Sequence, residues 1–315
     1  MSSATPPLAA PALDRAAAHR RAVLWRNLEG WLFASPWIIG FLLFTLGPML
    51  AALVLAFTEW DLLSPPQWVG LRNIQELLRD DLVIQSLKVT TVYALVSVPL
   101  QLIVGLGLAM LLNTEIRGLR LYRTAIYLPS ILSGVAVALL WRWMFQPEFG
   151  LFNLLLSYLN IDGPRWLGDP RWALPSLILM SLWEVGQGTI IYLAGLQGIP
   201  TDLYEAAEVD GATGWARFRY ITVPLITPVL FFQLVTRIIV ALQIFTQPAV
   251  MTDGGPNNAT LTILLYLYRN AFQFFRMGYA SVLAWALFLY ILVLTLIVFR
   301  SSAAWVYYEG EGKRG

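Results

Sequence analysis

The sequence predicts an all-α membrane protein: six transmembrane helices with one unusually polar loop on the cytoplasmic side. Three observations predict it. Of 315 residues, 58% are hydrophobic and only 13% are charged, whereas soluble domains carry about 25% charged residues. Six apolar runs recur along the chain, each long enough for a bilayer core at about 20 residues per span. No barrel-type alternation with a stretch of about ten residues appears, and backbone groups in lipid must bond within their own segment, so the spans read as helices.

Taken in order, residues 1–24 are rich in Ala, Pro and Arg and are expected to form a cytoplasmic tail without regular structure. Residues 25–300 form the transmembrane domain and 301–315 a cytoplasmic C-terminal tail. The first apolar run, Trp31–Phe57, is too long for a signal-peptide core and reads as an uncleaved span. The next five are Val89–Leu112, Leu121–Phe145, Leu174–Leu196, Pro224–Gln247 and Tyr279–Phe299. Pro36, Pro48, Pro99 and Pro228 fall inside spans and are expected to mark kinks or packed helix ends. With the N-terminus inside, the cytoplasmic segments hold twelve Lys and Arg residues and the outer segments seven, the sign that the positive-inside rule expects. Trp60, Trp68, Trp141, Trp143, Trp166 and Trp172 fall on the outer side, where an aromatic belt belongs.

Composition also excludes chemistry. The chain has no cysteine and one histidine, His19, which sits in the polar tail. Disulfides, thiolate metal sites and cysteine nucleophiles are therefore absent, and a histidine-based catalytic or metal centre is not supported. A net charge of +2 points to no nucleic-acid partner.

The polar loop, 200–224, contains EAAEVDGATGWARFRYITVP. Pro200-Thr201-Asp202 signals a helix start with Thr201 or Asp202 as N-cap, and Leu203–Val209 reads as a short helix. Asp210-Gly211 ends it, with Gly211 able to turn left-handed. Gly214 opens a second amphipathic stretch bearing Trp215, Arg217, Phe218 and Arg219. Small residues there permit close approach by another protein, and the acids at 205, 208 and 210 offer ion pairs. An amphipathic connector resting on lipid headgroups fits the same residues.

Here the sequence resembles a known family. Glu205-Ala206-Ala207, Gly211 six residues after the glutamate, and Ile221-x-Val223-Pro224 look like the EAA loop of binding-protein-dependent ABC importer permeases, with Val223 where the family pattern has leucine. WVGLRNIQELLRDD (68–81), YRTAIYLPSILSGVAVALLWRWMFQPEFGLFN (122–153), LAGLQGIP (193–200) and MTDGGPNNAT (251–260) resemble the carbohydrate-uptake branch, the maltose and glycerol-phosphate permease type, over about residues 27–300. The resemblance implies a coupling helix that seats in a groove of an ATPase subunit through Tyr204, Glu205, Ala206, Ala207, Asp210, Gly211 and Ala212. Glu205 would face a basic residue, the alanines would pack closely, and Gly211 would make the turn. It further implies a second permease subunit, two ATPase subunits that bind ATP and Mg, and an extracytoplasmic solute-binding protein. This chain itself would bind no cofactor, and it contains no G-x-x-x-x-G-K-[ST] phosphate loop.

Polar groups inside spans are costly and mark functional positions. Glu184 and Arg237 reach a similar depth in the fourth and fifth spans, where they either pair or jointly face a polar pathway. Gln187, Gln243 and Gln247 share those spans, Ser130 and Ser133 begin the third, and Trp183 offers an aromatic face. Amides, hydroxyls and an aromatic face suit a sugar or polyol, and each also suits a helix–helix hydrogen bond. Arg142 is expected to snorkel to the outer interface. An ATP-independent secondary transporter is the alternative reading. It usually carries more spans and a visible repeat.

Overall fold

The computed structural model describes residues 12–114 and 117–307. The chain divides into two compact units, Met1–Leu55 and Ala56–Gly315. Among the described residues, four helical stretches are long and apolar enough to cross a membrane, and six are if each of two bent helix pairs counts as one span.

The first unit is helix α1 (Ala12–Phe41), a π turn (Leu42–Leu46) and α2 (Gly47–Leu55). Pro48 has no N–H to offer the preceding turn, and Gly47 bonds back to the Leu42 carbonyl, one residue further than in an α-helix. Helix α1 begins at Ala12, inside the stretch 1–24 that composition marks as lacking structure. Residues 1–11 and 308–315 of the two tails lie outside the described residues.

The second unit opens with a two-stranded antiparallel hairpin, β1 (Thr58–Glu59) and β2 (Gln67–Trp68), followed by the short α3 (Arg72–Leu77). The bundle comprises α4 (Asp81–Leu112), α5 (Leu119–Tyr127), α6 (Gly134–Met144), α7 (Leu151–Tyr158), α8 (Pro170–Ser181), α9 (Gly186–Gln197), α10 (Thr201–Val209), α11 (Gly214–Arg217), α12 (Val223–Leu242), α13 (Ile263–Tyr268) and α14 (Met277–Ser302). Helix α4 packs against α9 and α12. Small residues let these helices approach: a Cβ on Gly105 of α4 would meet the Tyr192 ring of α9 at 3.2 Å, and one on Gly195 would meet Val229 of α12 at 2.8 Å.

The prolines Pro36, Pro99 and Pro228 lie inside continuous helices. The sharp bends fall elsewhere. The third span turns by 99° between Ile131 and Gly134, and the fourth by 48° between Glu184 and Gly186. At the second bend the backbone of α9 presses on the end of α5, and a Cβ on Gly186 would lie 2.1 Å from the Ile126 carbonyl oxygen. Only glycine permits that approach.

The end of the bundle where α4 begins is knotted by one carboxylate. Asp80 caps α4, accepting from the Leu82 N–H at 2.9 Å, and its other oxygen accepts from the Tyr266 and Tyr279 hydroxyls, each at 2.6 Å. Nearby, Asn73 donates to the carbonyls of Ala56 and Thr58, and Met277 N–H to that of Trp60. Burial raises the Asp80 pKa, but the two phenols and the backbone donors outweigh it and hold the carboxyl below its ordinary value. Burial, then the Asp80 contact, pushes Tyr266 up to about 12. A depressed folded-state pKa contributes stability in full above the unfolded value of about 3.9 and loses it as pH falls through the folded one. Wild type should therefore lose thermal midpoint between about pH 5 and pH 3 more steeply than Asp80→Asn; equal slopes would show that the charge is immaterial.

Candidate functional site

The polar loop folds as a helical elbow. Helix α10 starts one residue earlier than its sequence signals suggest: Pro200 is the N-cap, with Thr201 and Asp202 already helical and no side-chain cap. Its end is a Schellman closure. Ala212 N–H bonds to the Ala207 carbonyl at 2.8 Å and Gly211 N–H to that of Glu208 at 3.0 Å, with Gly211 at φ +75°. Thr213 then caps α11 by accepting from Ala216 N–H at 3.2 Å. A π turn, Phe218–Thr222, leads into α12.

Within the elbow the side chains divide by role. Tyr204 shares a 2.9 Å hydrogen bond with Thr222 and so ties α10 to the root of α12. Glu208 pairs with Arg217 at 3.2 Å, which removes it from the acids free for a partner. Glu205, Ala206, Asp210 and Gly211 are exposed, and Ala207 and Ala212 are half-buried. Glu205 and Asp210 have no ion-pair partner among the described residues. Val209 and Trp215 stand out at 88% and 72% exposure. Sequence reasoning did not single out Val209, whose apolar character fits the inner side of a helix equally well.

The elbow joins α9 to α12; these two helices wall a cavity of about 440 Å³, and α12 and α4 wall an adjoining one of about 190 Å³. Glu184, Arg237 and Gln247 line both. Ser130 and Gln187 line the larger and Gln243 the smaller. Ser133 and Trp183 line neither: Ser133 is the N-cap residue of α6, and Trp183 packs edge-on against Trp141 with ring centroids 6.0 Å apart. Trp141 is itself buried with Phe145 and packs on the half-buried Phe152, so it belongs to a core and not to an interfacial belt.

Of the two arrangements open to Glu184 and Arg237, the structure contains the shared cavity and no ion pair between them among the described residues. Arg237 instead donates to the Gln101 side-chain oxygen at 3.3 Å. Gln233, buried on α12, donates to the Gly188 carbonyl at 3.0 Å and pins α12 to α9. Tyr93 and Gln101 of α4 and Thr236 and Thr246 add to the polar lining. These four escaped sequence reasoning; only a search for isolated polar residues in the second span marks Gln101. Arg142 is exposed and donates to the Val250 carbonyl at 3.2 Å. A guanidinium, a carboxylate and several amides around one cavity can donate to and accept from the hydroxyls of a polar solute.

Residues 91–305 match the family described as binding-protein-dependent transport system inner membrane component. The chain is 46% identical to the probable ABC transporter permease protein YesP of Bacillus subtilis (strain 168), over 92% of this chain and 96% of that one. It is 36% identical to the lactose transport system permease protein LacF of Rhizobium radiobacter, over 88% and 94%. Its fold matches a crystallised bacterial alginate ABC transporter, solved in complex with an alginate pentasaccharide-bound periplasmic protein. That match has a TM-score of 0.78 at 28% identity and covers 89% of this chain and 96% of that one.

Proposed function

Because the chain belongs to the family of binding-protein-dependent transport system inner membrane components, we propose that it is the permease subunit that carries a sugar or related polyol through an ATP-driven importer. The observation that carries this reading is the continuity of the elbow with the cavity: α9 leads into α10, α11 leads through the π turn into α12, and Gln187 of α9 and Arg237 of α12 line the larger cavity. A push on the elbow is passed to these cavity walls through the short link 198–200 and the π turn Phe218–Thr222. Tyr204 and the Schellman closure stiffen that connection.

In this scheme two ATPase subunits bind ATP and Mg, and one receives the elbow in a surface groove through Glu205 and its neighbours. A second, different permease subunit completes the pathway, and an extracytoplasmic protein delivers the solute. Each ligand shifts the balance between inward-open and outward-open states by preferring one of them. Both termini and the elbow face the cytoplasm, while the hairpin and the loop around Asp253 face outward. The chain has no cysteine, so single cysteines at Ala206 and Asp253 should label from opposite sides of the membrane; same-side labelling would overturn the topology.

The sugar class follows from relatives whose descriptions name lactose and alginate. Purified, reconstituted transporter should hydrolyse ATP faster when the solute-loaded binding protein and a cognate sugar are added, tested across neutral and acidic sugars. Uptake that persists with the ATPase subunits deleted would instead establish the ATP-independent alternative.

A further inference from the structure

A groove of about 620 Å³ runs between α4 and α8, apart from the cavities above. Its walls extend from Gln85 through Val96 to Leu100 on α4, and from Arg171 through Ile178 to Leu182 on α8 and its continuation. The α4 wall is about 22 Å long at ~1.5 Å per residue, longer than the roughly 15 Å of one leaflet's hydrocarbon. The lining is polar only at one end: Gln85 and Arg171 stand there, and every other lining residue is apolar. This is the outline of an amphiphile, with a polar head site above an apolar slot.

The head site carries a guanidinium with free terminal donors. The Arg171 side chain is 89% exposed and its Nε lies 3.5 Å from Asp169 Oδ1, while its two terminal nitrogens have no partner among the described residues. Lys88, exposed on α4 one turn past Gln85 and just outside the groove's lining, has no ion-pair partner among the described residues. Asp81, the other acid at this end of α4, opens the helix about 10 Å outward from Lys88. A guanidinium fork matches phosphate oxygens two at a time, and basic residues at the membrane surface attract anionic headgroups.

We propose that this groove is a binding site for one anionic phospholipid, with an acyl chain between α4 and α8 and its phosphodiester on Arg171, beside Lys88. On the topology of the importer reading it is an outer-leaflet lipid; only that leaflet assignment rests on the importer reading, and the lipid site does not.

The test uses the purified full chain, exposed to mixed micelles of phosphatidylglycerol and phosphatidylcholine, with bound lipid counted by native mass spectrometry. Wild type should retain phosphatidylglycerol preferentially. Arg171→Ala with Lys88→Ala should weaken that retention about tenfold and abolish the preference. Val96→Trp, which fills the slot, should lower retention of both lipids. A photo-crosslinking residue at Val96 should capture lipid. Unchanged phosphatidylglycerol retention in the Arg171 and Lys88 double variant would overturn the proposal. So would capture of a protein segment, whether the first unit of this chain or a second permease. Since the readout is bound lipid, failure of the importer reading would leave this result standing.

Discussion

Glu205→Lys should abolish uptake while the protein reaches the membrane in wild-type amount. Glu205 is exposed on α10 and makes no ion pair among the described residues, so its replacement removes nothing that holds the elbow together. The Schellman closure, the Thr213 cap and the Tyr204–Thr222 bond all lie elsewhere. The loss would be one of docking: a carboxylate that meets a basic residue in a desolvated groove becomes a second cation facing the first. Removing one partner of such a pair weakens association by at least about thirtyfold, and reversing the charge adds repulsion. Co-purification of the ATPase subunits should fall in step with uptake, whereas Glu208→Lys should instead loosen the Arg217 contact within the chain. Normal uptake by Glu205→Lys would refute the docking role.

Arg237→Ala should be nearly as damaging, for a different reason. Its guanidinium lines both cavities and is anchored by Gln101, 136 residues away in sequence. The truncation removes a charged donor from the solute's surroundings and leaves the Gln101 amide to find a new partner. Uptake should drop at least tenfold, since a hydrogen bond to a charged group is worth about 1.5–3 kcal/mol. Gln101→Ala should have a smaller effect alone and almost none on top of Arg237→Ala, because the two share one interaction. Glu184→Ala should also impair uptake. Because the two charges line the same cavities, its effect on thermal stability should not simply add to that of Arg237→Ala. Plain additivity of Gln101 and Arg237 would sink the anchoring role.

The helical class and the elbow were both legible in the residue order. Hydropathy runs reveal spans because lipid imposes one rule on every residue that meets it. The elbow could be read because its signals are local: Gly211 turns where a left-handed residue is needed, and small and acidic residues mark one surface. Six of the eight residues singled out in the spans do line the cavities.

The rest was decided by packing over long separations. Hydropathy says nothing about which side of an apolar helix faces a neighbour, so nothing marked Tyr93 and Gln101 as cavity residues. The third and fourth spans break where Gly186 meets the Ile126 carbonyl and at the turn before Gly134, not at the prolines inside continuous helices. Arg237 chose Gln101 over Glu184, and Asp80 found two tyrosines 186 and 199 residues ahead. A polar group inside a bundle must be satisfied by whatever donor or acceptor the packing brings within 3 Å or so, and only the assembled helices decide which one that is.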